Sequence, residues 1–332
     1  MTPAELSHTV LGAVRRAVEE GALGVRGAVP DRVKIERPRP GGRGDYATNV
    51  ALRLAGPAGR QTREVAEILR ARIDGAPGIA QVEITGPGFL NFTLAQGSAA
   101  ATLRAVREQG PRYGYGDGLA GTRLSFAPAD GLRAAIVTDT VVRLLRAQGV
   151  DARIEPGGEE RITAVPVRDD RDGHGDGLFE RLGPDAARWA LLRAAGHDHP
   201  KLDDDLLVQS EGNPLFRVRY AYSRSRALTR GATRLGMPGR YEDDVDAPAL
   251  LAAMGDHPAV LASAARLRAP DRLARHLETT ADALLGFQHT VLPRGDEKPS
   301  AAHRSRLALA EAAGTVLAGG LALLGISAPE YL

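Results

Sequence analysis

Cysteine is absent from the 332 residues. Its absence excludes disulfides, thiolate metal sites and cysteine nucleophiles, and it agrees with a cytoplasmic protein. Lysine is confined to Lys34, Lys201 and Lys298, so arginine carries nearly all the positive charge. With Ala, Gly and Pro this abundant, that bias is also compatible with gene composition alone. Aromatic residues make up only 4%. No apolar signal core opens the chain. The most apolar stretch, 312–326, is short for a membrane span and contains Gly319-Gly320, so it reads as a buried helix and no membrane partner is expected. Excess charge is lacking too. Lys and Arg number 43 against 41 Asp and Glu, a net +2, so affinity for a polyanion must come from local patches. A hydrophobic content of 43% supports real cores, and the length fits two domains or three small ones.

The most informative stretch is 183–228. Ala187, Ala190, Leu191 and Ala194 follow helical spacing, with Asp185 near the start and Gly196 past the end. A polar connector carries Pro200 and the run Asp203 to Asp205. A second helix begins at Asn213-Pro214, a capping residue followed by proline at the first helical position. From there to Arg240 no acidic residue occurs. Arg217, Arg219, Arg224, Arg226, Arg230 and Arg234 are interleaved with Phe216, Tyr220 and Tyr222. Arg219, Tyr222, Arg226 and Arg230 recur at three- and four-residue steps, which places them on one face. Such a face is either simply solvated or built for RNA, with guanidinium groups on phosphates and phenol rings on unpaired bases.

These residues resemble the start of the anticodon-binding helical domain of arginyl-tRNA synthetases, named for an Asp-Ala-Leu-Arg signature that appears here as Asp185-Ala186-Ala187-Arg188. The family's Asn-Pro-x-Phe-x-x-Gln-Tyr-Ala-His-x-Arg is matched by Asn213, Pro214, Phe216, Tyr220, Ala221 and Arg224, with Arg219 in place of glutamine and Tyr222 in place of histidine. The resemblance implies tRNA contact through Arg217, Arg219, Tyr220, Tyr222, Arg224, Arg226 and Arg230. The sequence ends Ser-Ala-Pro-Glu-Tyr-Leu, where the family usually has Ser-x-Pro-Glu-Arg-Met. The family's terminal residues reach the anticodon loop, which makes Tyr331 a further candidate.

The first hundred residues resemble the added N-terminal domain of the same synthetases through GDYATNVALRLA and VEITGPGFLNFTL. In the family this small α/β domain contacts the tRNA D-loop through an aromatic residue and an amide two positions later, here Phe89 and Asn91. Alternate strand residues share a face, so the pair can act together. Phe89 as core and Asn91 as a turn cap is the other reading. Helices are expected over 3–20 and 62–73, a strand-like alternation over 32–36, a loop at 44–49 entering a helix, and two strands at 80–84 and 89–94. The Gly-rich run at 41–44 lacks the Lys-Ser/Thr end of a phosphate loop.

Between the halves, residues 122–154 resemble the first strand and helix of the synthetase nucleotide-binding core. The family's Asn-Pro-x-Gly and His-x-Gly-His elements hold the ATP phosphates. Strand and helix are joined here by Ala127-Pro128-Ala129-Asp130-Gly131, with no histidine. The remaining interval is too short for the rest of the parallel sheet and contains no lysine for the second phosphate motif. The acidic loop at 169–174 is a conceivable metal site, but unpatterned acidic loops are usually only solvated, and no metal is expected. Beyond the anticodon-type start, helical segments are expected at 247–254, 258–268 and 270–292, with a last helix from about 302.

The expected fold is therefore α+β. It comprises a small α/β domain over 1–97, a linker helix with the strand-helix remnant of a Rossmann-like domain over 98–177, and an all-α helical bundle over 178–332. The expected function is that of a non-catalytic synthetase paralogue, without catalytic residues or cofactor, that binds tRNA and in particular tRNA-Arg. The rivals are arginine–tRNA ligase itself and a regulatory or structural subunit with a protein partner.

Overall fold

In this computed structural model the described residues are 3–27, 29–38, 43–95, 98–167 and 176–332. By internal contact they divide into two compact units, Met1–Thr102 and Leu103–Leu332. Residues 41–42 of the Gly-rich run and the whole acidic loop at 169–174, with its conceivable metal site, lie outside the described residues.

In the first unit, helices α1 (Pro3–Glu19), α2 (Val50–Ala58) and α3 (Thr62–Ile73) bury Leu6, Val10, Val14, Leu54, Val65 and Leu69. Strands β1 (Tyr46–Thr48), β2 (Ile79–Thr85) and β3 (Phe89–Leu94) form an antiparallel sheet in the order β1-β3-β2. Two expectations change here. The alternation at 32–36 does not make a strand, and only Glu36 forms an isolated bridge, to Ala47. Conversely, the expected loop at 44–49 contains β1, paired with the middle of β3. A three-residue strand has too little periodicity to be read; its pairing partner defines it. β3 is central, so Leu90 and Phe92 face the helices while Phe89 and Asn91 take the opposite face.

The boundary between units falls within α4 (Ser98–Gln109). In the second unit β4 (Arg123–Phe126) and β5 (Asp151–Ile154) pair in parallel, linked by α5 (Leu132–Arg146). The rest is helical: α6 (Asp176–Arg193), kinked at Gly183, then α7 (Pro214–Arg234), α8 (Pro248–Arg266), α9 (Pro270–Phe287) and α10 (Ala301–Leu324). The expected break between 254 and 258 does not occur. Pro258 lies inside α8, whose buried residues Leu250, Met254 and His257 continue to Leu261 and Ala264, so packing outweighs the one lost backbone hydrogen bond.

The remnant and the bundle share one core. Ile136, Val141 and Leu145 of α5 pack in the same cluster as Trp189, Leu261, Leu277 and Leu317. α10 is the one helix among the described residues that is long and apolar enough to cross a membrane, and 72% of its most apolar window is buried. Its glycines admit close neighbours: a Cβ on Gly314 would sit 2.2 Å from Ser225 Oγ, and one on Gly320 would sit 2.4 Å from Leu277 Cδ2.

Candidate nucleic-acid interface and a closed strand crevice

α7 is capped as its first residues demand. The Asn213 side-chain oxygen accepts the backbone N–H groups of Leu215 and Phe216, and its amide donates to the carbonyls of Leu206 and Val208. Asn213 is fully engaged and holds the preceding connector in place. The buried stripe Leu215, Val218, Ala221, Ser225, Leu228 and Ala232 then fixes the helix against the core, leaving arginines along both of its margins.

On one margin Arg217 Nε lies 3.1 Å from Asp282, and Arg224 donates to Gln288 Oε1 at 2.6 Å. On the other, Arg219 lies 3.6 Å from Asp185 and donates to Ser327 Oγ at 3.3 Å. Arg226 reaches Glu330 Oε1 at 3.2 Å, Arg230 lies 3.9 Å from the other oxygen, and the Arg230 guanidinium stands 4.2 Å from the Tyr331 ring centre. Tyr222 packs partly against the core. Tyr220, by contrast, is 39% exposed, and its ring stacks on Phe216 with centres 5.6 Å apart. Near that pair, a cleft of about 250 Å³ is lined by Leu182, Asp185, Leu207, Val208, Phe216 and Arg219, among others.

The acids that face these arginines lie far away in the chain, at Asp185, Asp282 and Glu330. The signature's two charged members serve the segment after α10. Asp185 accepts the Ser327 backbone N–H at 2.9 Å and its hydroxyl as well, and Arg188 lies against the left-handed turn at Gly325. Sequence reading named neither Glu330 nor Ser327 as a partner of α7; only tertiary structure brings them together.

In the first unit Phe89 is 39% exposed and is not core. Asn91 is 6% exposed, with its amide donating to Thr85 Oγ1 at 2.5 Å across the β2–β3 turn. The pair shares the outer face of the sheet, with Ala47 and Glu83 beside Asn91.

The parallel strands offer a different picture. In open parallel sheets ligands bind beyond the carboxyl ends of the strands. Here residues 155–160 cross that end. Glu155 N–H donates to Phe126 O, Ala127 N–H donates to Glu160 O, and Glu160 N–H donates to Ser125 O. Gly158 is pressed so close that a Cβ would stand 2.2 Å from Phe126 C. Glu160 then clamps Arg268 through two bonds, of 2.8 and 2.7 Å. The α5 N-terminus is also occupied by the chain itself, where Asp130 pairs with Arg161 at 2.8 Å.

Arg133, in the first turn of α5, was not singled out from sequence. It is 1% exposed, and all five of its N–H donors reach carbonyls: Leu191, Val165, Asp198, Ala194 and Ala195, at 2.7–3.1 Å. It closes the end of α6. Burial lowers its pKa, opposed by Asp198 and Asp271. A signal existed, because Arg133 sits three, four and eight positions before Ile136, Val137 and Val141, on the buried face. Beside it, a cleft of about 660 Å³ is lined by Val137, Val165, Gly196, Arg268 and Asp271, among others. Its Arg268 is taken by Glu160 and its Asp271 lies 3.4 Å from Arg275.

Residues 5–94 match the family described as the arginyl tRNA synthetase N terminal domain, and residues 218–332 match the DALR anticodon binding domain. The whole chain aligns with proteins named arginine–tRNA ligase, from Paenarthrobacter aurescens at 26% identity over 549 positions and from Frankia alni at 27% over 557, covering 100% of each chain. The chain belongs to the arginyl-tRNA synthetase family. It is a truncated member. Its 332 residues face those longer alignments with the two matched domains at the ends, so the shortfall falls between them. Solved arginyl-tRNA synthetases share the fold. That of Thermus thermophilus has a TM-score of 0.70 at 13% identity, with 100% of both chains covered. That of Plasmodium falciparum scores 0.65 at 9%, with 99% of both covered.

Proposed function

We propose that this arginyl-tRNA synthetase paralogue is a cytoplasmic, non-catalytic tRNA-binding protein. It takes tRNA, and tRNA-Arg in particular, through Phe89 and Asn91 on the N-terminal sheet and through the start and arginine margins of α7. In this division of labour 1–97 and 178–332 recognise RNA, while 98–177 serves as connector and packing. Recognition and chemistry occupy separate parts of such proteins, so one can be lost without the other.

The observation that carries the reading is the contrast in what lies open. The Tyr220 ring, exposed and stacked on half-buried Phe216 beside a cleft, is the arrangement that receives an unpaired base. The carboxyl end of β4 is instead covered by backbone, and the carboxylates of Asp130 and Glu160 beside it are engaged by Arg161 and Arg268. The junction sequence Ala127–Gly131 also lacks the histidines that the synthetase reaction uses.

Two measurements test it. Fluorescence anisotropy with tRNA-Arg and unrelated tRNAs should give saturable binding that weakens steeply with salt, as arginine–phosphate contacts release counterions. No binding at low salt would reject the RNA reading. Arginine-dependent ATP–pyrophosphate exchange should stay at background. Exchange above background, abolished by substitutions in this chain, would make arginine–tRNA ligase the correct reading.

A further inference from the structure

The α7 arginine margin is already occupied by the chain itself, and the occupant imitates a nucleotide's chemistry. The Glu330 carboxylate lies between Arg226, at 3.2 Å, and Arg230, at 3.9 Å. Its backbone carbonyl accepts from Ser223 Oγ at 3.1 Å and from Arg230 at 3.4 Å. The next residue lays its ring against the Arg230 guanidinium. Upstream, Ser327 is held by Asp185, which also faces Arg219. An anion between two guanidinium groups, followed by a stacked ring, is also what a phosphate and its neighbouring base would present.

We propose that the segment Ser327–Tyr331 is an autoinhibitory strap, an intramolecular competitor that a polyanion must displace to reach Arg226 and Arg230. The proposal rests on the reading of α7 as an RNA-binding element.

Two features make the strap displaceable. The first is weak attachment: Tyr331 is 71% exposed, and the Glu330 pairs are partly solvated, the kind of contact that contributes roughly 0–1 kcal/mol each. Beyond Ser327, which Asp185 holds, no residue of the segment is buried. The second is incomplete satisfaction of the arginines. Arg230 Nη1 and Arg219 Nε are shielded from solvent yet make no hydrogen bond. One carboxylate offers too few acceptors in this geometry, and a phosphate with several oxygens supplies more. The strap therefore holds the margin in a state that a phosphate improves on.

Glu330→Gln keeps the shape of the strap and removes its charge. Binding of fluorescent heparin and of a mixed-sequence single-stranded RNA oligonucleotide is measured by anisotropy across salt concentrations, with wild type, Glu330→Gln, Arg226→Ala and the double variant. The strap predicts roughly two- to fivefold tighter binding of both probes by Glu330→Gln, the scale of one surface ion pair. The salt slope should steepen by about one, since counterions then replace Glu330 on the arginine before binding. The gain should shrink when Arg226 is alanine, leaving only the share that acts through Arg230. Equal or weaker binding by Glu330→Gln overturns the strap and identifies the segment as a positioning element. A gain undiminished without Arg226 reduces the effect to overall charge and also overturns it, as does failure of either protein to bind heparin. A heparin gain without any tRNA binding rejects the function proposed above and leaves the strap standing. tRNA binding indifferent to Glu330→Gln rejects the strap alone.

Discussion

Arg133 and Arg226 are the same side chain put to opposite uses. Arg133 is buried and spends every donor on backbone carbonyls of Val165, Leu191, Ala194, Ala195 and Asp198, where α5 meets the end of α6. Arg226 lies at the surface, and its partner Glu330 belongs to a lightly held segment. A charge taken out of water must be fully matched, and once matched it acts as cement. A charge kept at the boundary is matched loosely and can exchange partners. In this molecule burial, more than the local density of arginine, separates the closed strand crevice from the margin available to a ligand.

The largest expected effect breaks the first half of that comparison. Arg133→Met keeps the bulk and removes five donors from buried carbonyls, so it should cost upwards of about 3 kcal/mol. Calorimetry should then show a melting temperature lower by roughly 6–12 °C. Wild-type melting would mean that those carbonyls find other partners and that Arg133 is not cement.

Acid should act on another buried pair. His257 and His276 lie with ring centres 5.3 Å apart, and neither His257 Nδ1 nor His276 Nε2 has a hydrogen-bond partner. Burial is the main cause that pushes His257 well below its ordinary value of 6.5, with His276 adding to it, and burial lowers His276 to about 4 despite nearby Asp256. The folded form therefore holds these rings neutral. The unfolded chain takes up protons below pH 6.5, so stability is full above that value and falls as the pH drops towards 4. From His276 alone the loss approaches roughly 3 kcal/mol. Denaturant titrations at pH 7.5 and pH 4.5 measure it. His276→Gln should flatten the dependence, and a profile that stays as steep would place the acid sensitivity elsewhere.

Smaller effects sharpen the other half. Tyr220→Ala should remove roughly 1–3 kcal/mol of tRNA affinity. Its salt slope and melting temperature should stay nearly unchanged, because the ring stands partly in solvent beside Phe216. A lower melting temperature with normal binding by the folded fraction would make the ring a packing residue. Arg226→Ala should weaken all tRNAs alike and flatten the salt slope by about one.

Much of this architecture was legible in the sequence. Asn213-Pro214 marks the start of α7, the periodicity of 62–73 marks α3, and 80–84 with 89–94 marks the hairpin, because each is written in local chemistry. β1 was not legible, since its pairing with β3 is non-local, nor was the continuity of α8 through Pro258, which depends on what the helix packs against. The candidate interface was half legible. The arginines and tyrosines stand where periodicity put them, but 214–240 reads as an unopposed basic face only because Asp185, Asp282 and Glu330 lie elsewhere in the chain. Charge runs along one helix state supply; the fold supplies demand.

α10 has one further consequence. Ser225 of α7 and Leu277 of α9 nest directly against Gly314 and Gly320, where even a methyl group collides. Those two glycines work as gauge blocks, setting how far α7 and α9 stand from the spine of the bundle, and with it the separation of Arg217 from Asp282. A survey of tolerated substitutions would therefore find two intolerant positions deep in an apolar helix, remote from any ligand and lacking a functional group. Enlarging Gly314 presses on α7 through Ser225 and enlarging Gly320 presses on α9 through Leu277, so either change disturbs the α7–α9 seam in a variant whose every polar side chain is intact.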